Sequence, residues 1–411
     1  MSLFIPNSEG LLGTHVTWHD VEQAMPSALR TEARFGANRK VTNIGEMKGF
    51  LSRIALIEPN WINDSDEKLP EKLVVKIASQ LTLIEIAQAT QNEVLEKEKV
   101  PLMGPVTRTM HNREAKVYEI LEKEGNSKIL HPKMYASKSF EEDSDLKAFM
   151  IFEFVPNEHL AMNECISTDD VLPVIQTIAS FSALGEKLPE QDLKLIGGQE
   201  FWVEVLKDAR DQGHLERTVA MIKDTFPSEY HSTCDKLLEI YRTFYSKQEL
   251  IDKFASIPEI LGHKPVLGHC DLWNSNLMFT KNKSGRSVFK GVIDFQTVSW
   301  CSPGIDLARL FVCVLAKTDR RERFDSLLEQ YYKIFLEELQ GKEAPYPLEQ
   351  LRDSYSLYLP TMGMIILPGL AGIAVQKKES KETLDKLIGL LEDVVSTHES
   401  NLKRFPKFFE L

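Results

Sequence analysis

Four polar residues in the stretches Gly268–Asn276 and Ile293–Gln296 have the types and intervals that phosphoryl transfer to a hydroxyl requires. His269 stands two residues before Asp271, Asn276 five after it, and Asp294 eighteen after Asn276, at the end of an apolar run. An attacking hydroxyl needs a carboxylate within hydrogen-bond reach to orient it and take its proton, a role worth typically ~10² to 10⁴ in rate. Asp271 is the candidate for that base. Metal ions that bridge phosphates take hard oxygen ligands, which an amide and a second carboxylate supply without adding a competing base. Asn276 and Asp294 fit that role, and His269 would then hold the loop backbone. The alternative is an incidental polar loop, which the Ile293-Asp294-Phe295 triplet at the required distance makes less common.

Residues 268–310 resemble the aminoglycoside phosphotransferase and choline kinase-like superfamily. Within it they resemble the ecdysteroid kinase-like (CHK kinase-like) branch, whose members read H-G-D-x-W-x-x-N and I-D-F-Q. Trp273 and Gln296 favour that branch over choline kinases, which usually carry I-D-F-E, and Cys270 stands where the family mostly has Gly. The likeness is close over 268–310 and loose over most of the chain. It implies a two-lobed protein kinase-like α+β fold. An antiparallel sheet plus a helix would form a nucleotide-binding lobe over residues 1–152, and a larger, mainly helical catalytic and acceptor-binding lobe would cover 153–411. ATP and Mg²⁺ are the implied cofactors, bound between the lobes, with Asp294 and Asn276 on metal.

Other elements must position these groups. Leu73-Val74-Val75-Lys76-Ile77 reads as a β-branched strand with a lysine set into an apolar pattern, and an unpaired ammonium among apolar neighbours is costly. In a kinase-like fold this lysine would contact the α- and β-phosphates and pair with a helix glutamate. The alternative is a lysine on the solvent face of an edge strand. The best partner is Glu114, which shares a helical face with Val117, Tyr118 and Leu121, although a solvated helix charge would read the same way. Gly45 and Gly49, four apart ahead of the β-type run from Ser52 to Ile57, permit a tight hairpin whose backbone N–H groups can approach phosphate oxygens. An ordinary hairpin is the competing reading. The buried run Ala148–Phe152 leads into a connector where the resemblance implies that backbone groups of Glu153 and Val155 meet adenine.

Downstream, Thr168 can cap a helix carrying Val171, Ile175 and Ile178, with further helical stretches between Gln199 and Phe254. Leu277–Phe279 and Val288-Phe289 flank a turn-rich segment, so Asn276 and Asp294 would sit at the open end of one hairpin. Asp306 opens the next helix and is a structural acid by resemblance. Apolar stripes from Phe324 to Leu339, stopping near Gly341, and from Leu384 to Val395 read as core helices. Only eleven residues separate Asp294 from Asp306, little room to hold a peptide, which favours a small-molecule acceptor. Trp273 and Trp300 could wall that acceptor, bind a cationic one, or simply pack. The implied activity is ATP-dependent transfer of the γ-phosphate to a hydroxyl of a steroid, lipophilic alcohol or glycoside. Choline or ethanolamine kinase and a catalytically silent nucleotide-binding pseudokinase are the alternatives.

Composition limits the partners. The 411 residues are 43% hydrophobic and 27% charged, with a formal net charge of -12, which disfavours nucleic acid and anionic membrane. Cys165, Cys234, Cys270, Cys301 and Cys313 form no C-x-x-C pair and suit a reducing compartment. The start Met1–Pro6 lacks a leader pattern, and Pro368 with three glycines interrupts the apolar run Met362–Val375. A cytosolic protein with no membrane span is expected, and its protein partners are not readable. No internal repeat or low-complexity tract is present.

Overall fold

Alternating burial along one strand organises the first of two units. The computed structural model describes residues 2–45, 50–62, 68–89, 91–377 and 380–411. The first unit comprises Met1–Asn126, His131–Pro156 and Asp294–Gln296; the second comprises Ser127–Leu130, Asn157–Ile293 and Thr297–Leu411. The division is therefore not a single cut, since three residues from far along the chain belong with the first unit.

The first unit holds a five-stranded antiparallel sheet in the order Lys40–Asn43, Ser52–Glu58, Leu73–Ala78, Phe149–Glu153, Met134–Lys138. Leu73, Val75 and Ile77 are fully buried on one face, as the two-residue period of a strand demands, and Lys76 projects from the other. Leu73–Ala78 is the middle strand, with Ile54 and Met150 opposite Lys76, so this lysine does not lie on an edge. Helix Trp18–Leu29 covers the apolar face, where its Val21 and Met25 join Ile57, Val75 and Ile151 in one core. A capping box starts it: Thr17 N–H donates to Asp20 Oδ2 at 2.7 Å and Asp20 N–H donates to Thr17 Oγ1 at 3.4 Å. Helix Gly104–Glu124 lies on the Lys76 face and buries Met110, Glu114, Val117, Tyr118 and Leu121 at spacings of three and four.

The second unit is mainly helical. It contains the hairpin Leu277–Lys281 with Ser287–Val292 and the antiparallel pair Val266–Gly268 with Ser299–Cys301. Around them pack helices Thr168–Gly185, Gly304–Val314, Lys317–Leu339, Leu348–Gln376 and Lys381–Arg404. The α+β class expected from the sequence is thus present.

Three local expectations need correction. Ser167, not Thr168, caps its helix: Ser167 is extended, accepts from Asp170 N–H at 3.1 Å and donates its hydroxyl to Asp170 Oδ2 at 2.8 Å. Helix Lys317–Leu339 ends with Gln340 in the left-handed conformation, one residue before Gly341. The apolar run around Pro368 is not interrupted, because helix Leu348–Gln376 runs 29 residues through both Pro360 and Pro368. Among the described residues it is the one helix long and apolar enough to cross a membrane, yet 67% of its most apolar window is buried inside the protein. Packing against Gly304–Val314 and Lys381–Arg404 offsets the ~3 kcal/mol that an interior proline costs. It is a core helix.

Helix Lys381–Arg404 also buries His398, whose Nδ1 meets the Tyr245 hydroxyl at 3.2 Å and whose ring lies among Phe244, Tyr245 and Phe409. Burial pushes its imidazole down to about 4 from 6.5. A depressed histidine stabilises the fold above its unfolded pKa and loses that contribution as pH falls towards the folded one. Lowering pH from 7 to 5 is expected to cost the second unit roughly 1 to 2 kcal/mol through His398. Urea titrations of wild type and His398→Phe at both values check this: the variant's stability should depend less steeply on pH.

Candidate active site

The middle strand and helix Gly104–Glu124 put two opposite charges together in the first unit. Lys76 Nζ donates to Glu114 Oε1 at 2.8 Å and Oε2 at 2.6 Å, and to Asp294 Oδ1 at 2.6 Å. Burial alone would lower the lysine pKa, but Asp294 and Glu114 outweigh it and hold the ammonium above the ordinary range. Glu114 is 1% exposed. Burial pushes its carboxyl up to about 7 against the pull of Lys76, with the Asp294 charge adding to the rise. One cation thus serves two carboxylates.

Asp294 itself has a φ of 69°, a left-handed conformation that short polar residues tolerate better than most. The Tyr118 hydroxyl bonds to its backbone, and the Tyr118 ring packs edge-on against Phe295 at 5.2 Å. The elements on either side therefore hold Asp294 in this unusual geometry.

The remaining first-unit candidates are less engaged. Gly45 follows strand Lys40–Asn43 and donates to Asn43 Oδ1 at 3.0 Å. A Cβ there would lie 2.7 Å from Ile54 Cγ1, so close strand approach already accounts for this glycine. Gly49 lies outside the described residues, with the rest of 46–49. The backbone N–H of Glu153 is already donated to Lys133 O at 2.9 Å, and its side chain accepts from Lys133 N–H at 2.9 Å. Val155 is half-buried in the irregular segment after that strand.

In the second unit, one loop is held from several sides. Asp306 accepts from His269 N–H at 2.8 Å and from Cys270 N–H at 2.6 Å; burial raises its pKa, and these two donors oppose the rise. Thr297 Oγ1 donates to His269 O at 2.9 Å. His269 Nδ1 accepts from Asp271 N–H at 3.2 Å, which leaves Nε2 to carry the proton and donate to Ile293 O at 3.0 Å. Gly268 is required here, since a Cβ would sit 2.3 Å from Cys301 Sγ. Cys270 has a φ of 67°, a conformation that glycine adopts freely and other residues at a cost of roughly 1–2 kcal/mol.

Asp271 at the tip is held at both oxygens. Asn276 Nδ2 donates to Asp271 Oδ2 at 3.1 Å and to its backbone O at 2.9 Å, while Arg309 Nη2 donates to Oδ1 at 3.0 Å. With its amide nitrogen so committed, Asn276 keeps its Oδ1 as a hard ligand. Among the described residues no group of three or more His, Cys, Asp or Glu could hold a metal. A carboxylate such as that of Asp294, in the first unit, and an amide oxygen such as that of Asn276, in the second, are each a hard oxygen donor of the type Mg²⁺ takes.

Trp300, partnered with Leu267 in the strand Ser299–Cys301, lies against Gly185 and packs the unit. Trp273 is half-buried in the loop. Two residues near Asp271 were missed. Arg309 is 6% exposed; with Asp306 three residues before it on helix Gly304–Val314, its charge carries no distinct sequence signal. Trp202, on helix Glu200–Asp211, donates its indole N–H to Cys270 O at 2.9 Å and lies 5.3 Å under the Arg309 guanidinium. Nothing in its local pattern marks it out.

Comparison with known proteins finds similarity to one solved structure and two curated proteins. A crystal structure of choline kinase from Cryptosporidium parvum is 13% identical, with a TM-score of 0.47 over 89% of this chain and 90% of that one. The uncharacterized kinase-like protein D1044.1 of Caenorhabditis elegans is 27% identical over 151 residues, 33% of this chain and 39% of its own length. The uncharacterized oxidoreductase dhs-27 of the same organism is 22% identical over 365 residues, 80% of this chain and 40% of its own length. The chain thus spans 39% and 40% of the length of these two curated relatives. Residues 4–402 match the DUF1679 family, described as "uncharacterized oxidoreductase dhs-27", and the chain belongs to that family.

Proposed function

We propose that this chain is an ATP-dependent phosphotransferase that moves the γ-phosphate to a hydroxyl of a small molecule. The observation that carries the reading is Lys76, bonded through one ammonium to both oxygens of Glu114 and to Asp294. A lysine on a central strand, paired with a helix glutamate, presents a fixed positive charge to the α- and β-phosphates. Asp294 and the Oδ1 of Asn276 are metal ligands in this reading, and Mg²⁺ would neutralise charge on the transferring phosphoryl group. Asp271 receives and orients the acceptor hydroxyl. The loop bonds from Asp306, Thr297 and His269 keep that carboxylate from having to reorganise during reaction.

Trp273 and Gln296 support an ecdysteroid kinase-like acceptor, a steroid, lipophilic alcohol or glycoside, with choline or ethanolamine as the alternative. The name "kinase-like" on the D1044.1 relative agrees with phosphoryl transfer in general. Hydride transfer, which the family description suggests, fits less well. Dinucleotide sites of that kind sit on parallel sheets, whereas every strand pair in the described sheets is antiparallel. The oxidoreductase of that name also extends well beyond the matched region.

The test is Mg²⁺-dependent ADP release from ATP across a panel of sterols, lipophilic alcohols, glycosides, choline and ethanolamine, with NADH and NADPH binding measured in parallel. Stimulated, metal-dependent release supports the proposal. Reduced-dinucleotide binding without ADP release overturns it in favour of the oxidoreductase, and ATP binding without any stimulated release points to a silent scaffold.

A further inference from the structure

The acceptor class can be narrowed from the side chains around Asp271, all within the second unit. Arg309 is more than nine-tenths buried and permanently charged. Its Nη2 donates to Asp271 Oδ1, but its Nε and Nη1 have no hydrogen-bond partner among the described residues. Two buried donors on one guanidinium are costly to leave unmade, and their fork suits a pair of ligand oxygens. The guanidinium cannot easily swing away: Trp202 lies beneath it at 5.3 Å, and that indole is pinned to Cys270 O at 2.9 Å. The aromatic face beside the base is therefore already taken by a cation of the protein itself.

We infer that Arg309 anchors the acceptor, and that the acceptor carries a hydrogen-bond-accepting oxygen in the substituent on the carbon adjacent to the one bearing the phosphorylated hydroxyl and is not a quaternary amine. This rests on the phosphotransferase reading of the same site. The hydroxyl meets Asp271, and the neighbouring oxygen, neutral or anionic, accepts from the unpartnered Arg309 donors. A quaternary ammonium in that place would offer no acceptor atom and would set a second positive charge beside a buried one. A site built to bond a substrate oxygen discriminates strongly against analogues that lack it.

The experiment uses one ring scaffold: cyclohexanol, trans-cyclohexane-1,2-diol and trans-2-hydroxycyclohexanecarboxylate, with choline as the cationic probe. ADP release by the full chain with Mg²⁺ and ATP is measured for wild type and Arg309→Lys, and thermal melts confirm that both are folded. The diol or the hydroxy acid should exceed cyclohexanol and choline by at least ~10-fold in kcat/KM, and which of the two leads tells a neutral from an anionic neighbour. Arg309→Lys should raise KM for the preferred compound by at least ~10-fold while KM for ATP stays put, a split that a general structural lesion would not produce. Choline performing as well as the diol and hydroxy acid overturns the inference, as does an Arg309→Lys variant with unchanged acceptor preference. No stimulation by these four compounds where the sterol, alcohol and glycoside panel does stimulate overturns the inference alone, whereas ATP binding with no stimulation by either set fails the phosphotransferase reading itself.

Discussion

Asp271→Ala is expected to lower phosphoryl transfer by at least ~10² while leaving the affinity for Mg²⁺ and ATP within about threefold. The acid's two oxygens are held by Asn276 and Arg309, so in the proposed role it is already fixed for the hydroxyl and would contribute through orientation and proton acceptance. The alanine variant also strands a buried guanidinium. Asp271→Asn is the companion that keeps an oxygen for Arg309 and removes only the charge. Single-turnover transfer and ATP calorimetry on both variants check the expectation, and turnover equal to wild type in either would remove Asp271 from the role of base.

Lys76→Met should be the most damaging single change to the first unit's stability. Breaking a buried ion pair by removing one partner costs about 3–5 kcal/mol, because the other charge stays buried and uncompensated. Here Glu114, at 1% exposure, is stranded, while the partly exposed Asp294 loses the same partner. The damage should depend on pH with a definite sign. Without the lysine, burial and the neighbouring Asp294 charge hold the Glu114 carboxyl further above its unfolded value, so its contribution to stability is present at low pH and lost as pH rises through the raised value. The variant should therefore be closest to wild type near pH 5 and furthest from it near pH 8. Denaturant titrations at both values, completed as a cycle with Glu114→Gln, would isolate the coupling. A deficit independent of pH would mean the acids are not carrying it.

What could be read from the sequence was local in origin. The Leu73–Ile77 alternation marked a strand with a lysine facing away from its apolar residues. The turn-rich segment after Phe279 marked a hairpin; each depends on neighbours a few positions away. Tertiary packing decided what was misread. The prolines in Leu348–Gln376 signal a break, yet the buried surface of that helix outweighs them. Among the site residues, Lys76 and Glu114 could each be singled out by an unusual charge in an apolar pattern. Arg309 and Trp202 could not, because one is defined by Asp271, 38 positions away, and the other by Cys270, 68 positions away. Nor could the sequence show that Cys270 occupies a left-handed position, since backbone conformation there is imposed by Asp306 from the following helix.

Lys76 and Asp294 are separated by 218 positions, although both belong to the first unit. As the chain leaves the ribosome, its sheet and helix Gly104–Glu124 can assemble long before that acid is synthesised, so the nascent unit holds Lys76 with Glu114 alone. A fragment ended after Pro156 would stay in that incomplete state permanently. Separate production of the first unit therefore calls for grafting Asp294–Gln296 back onto it, rather than for a shorter gene.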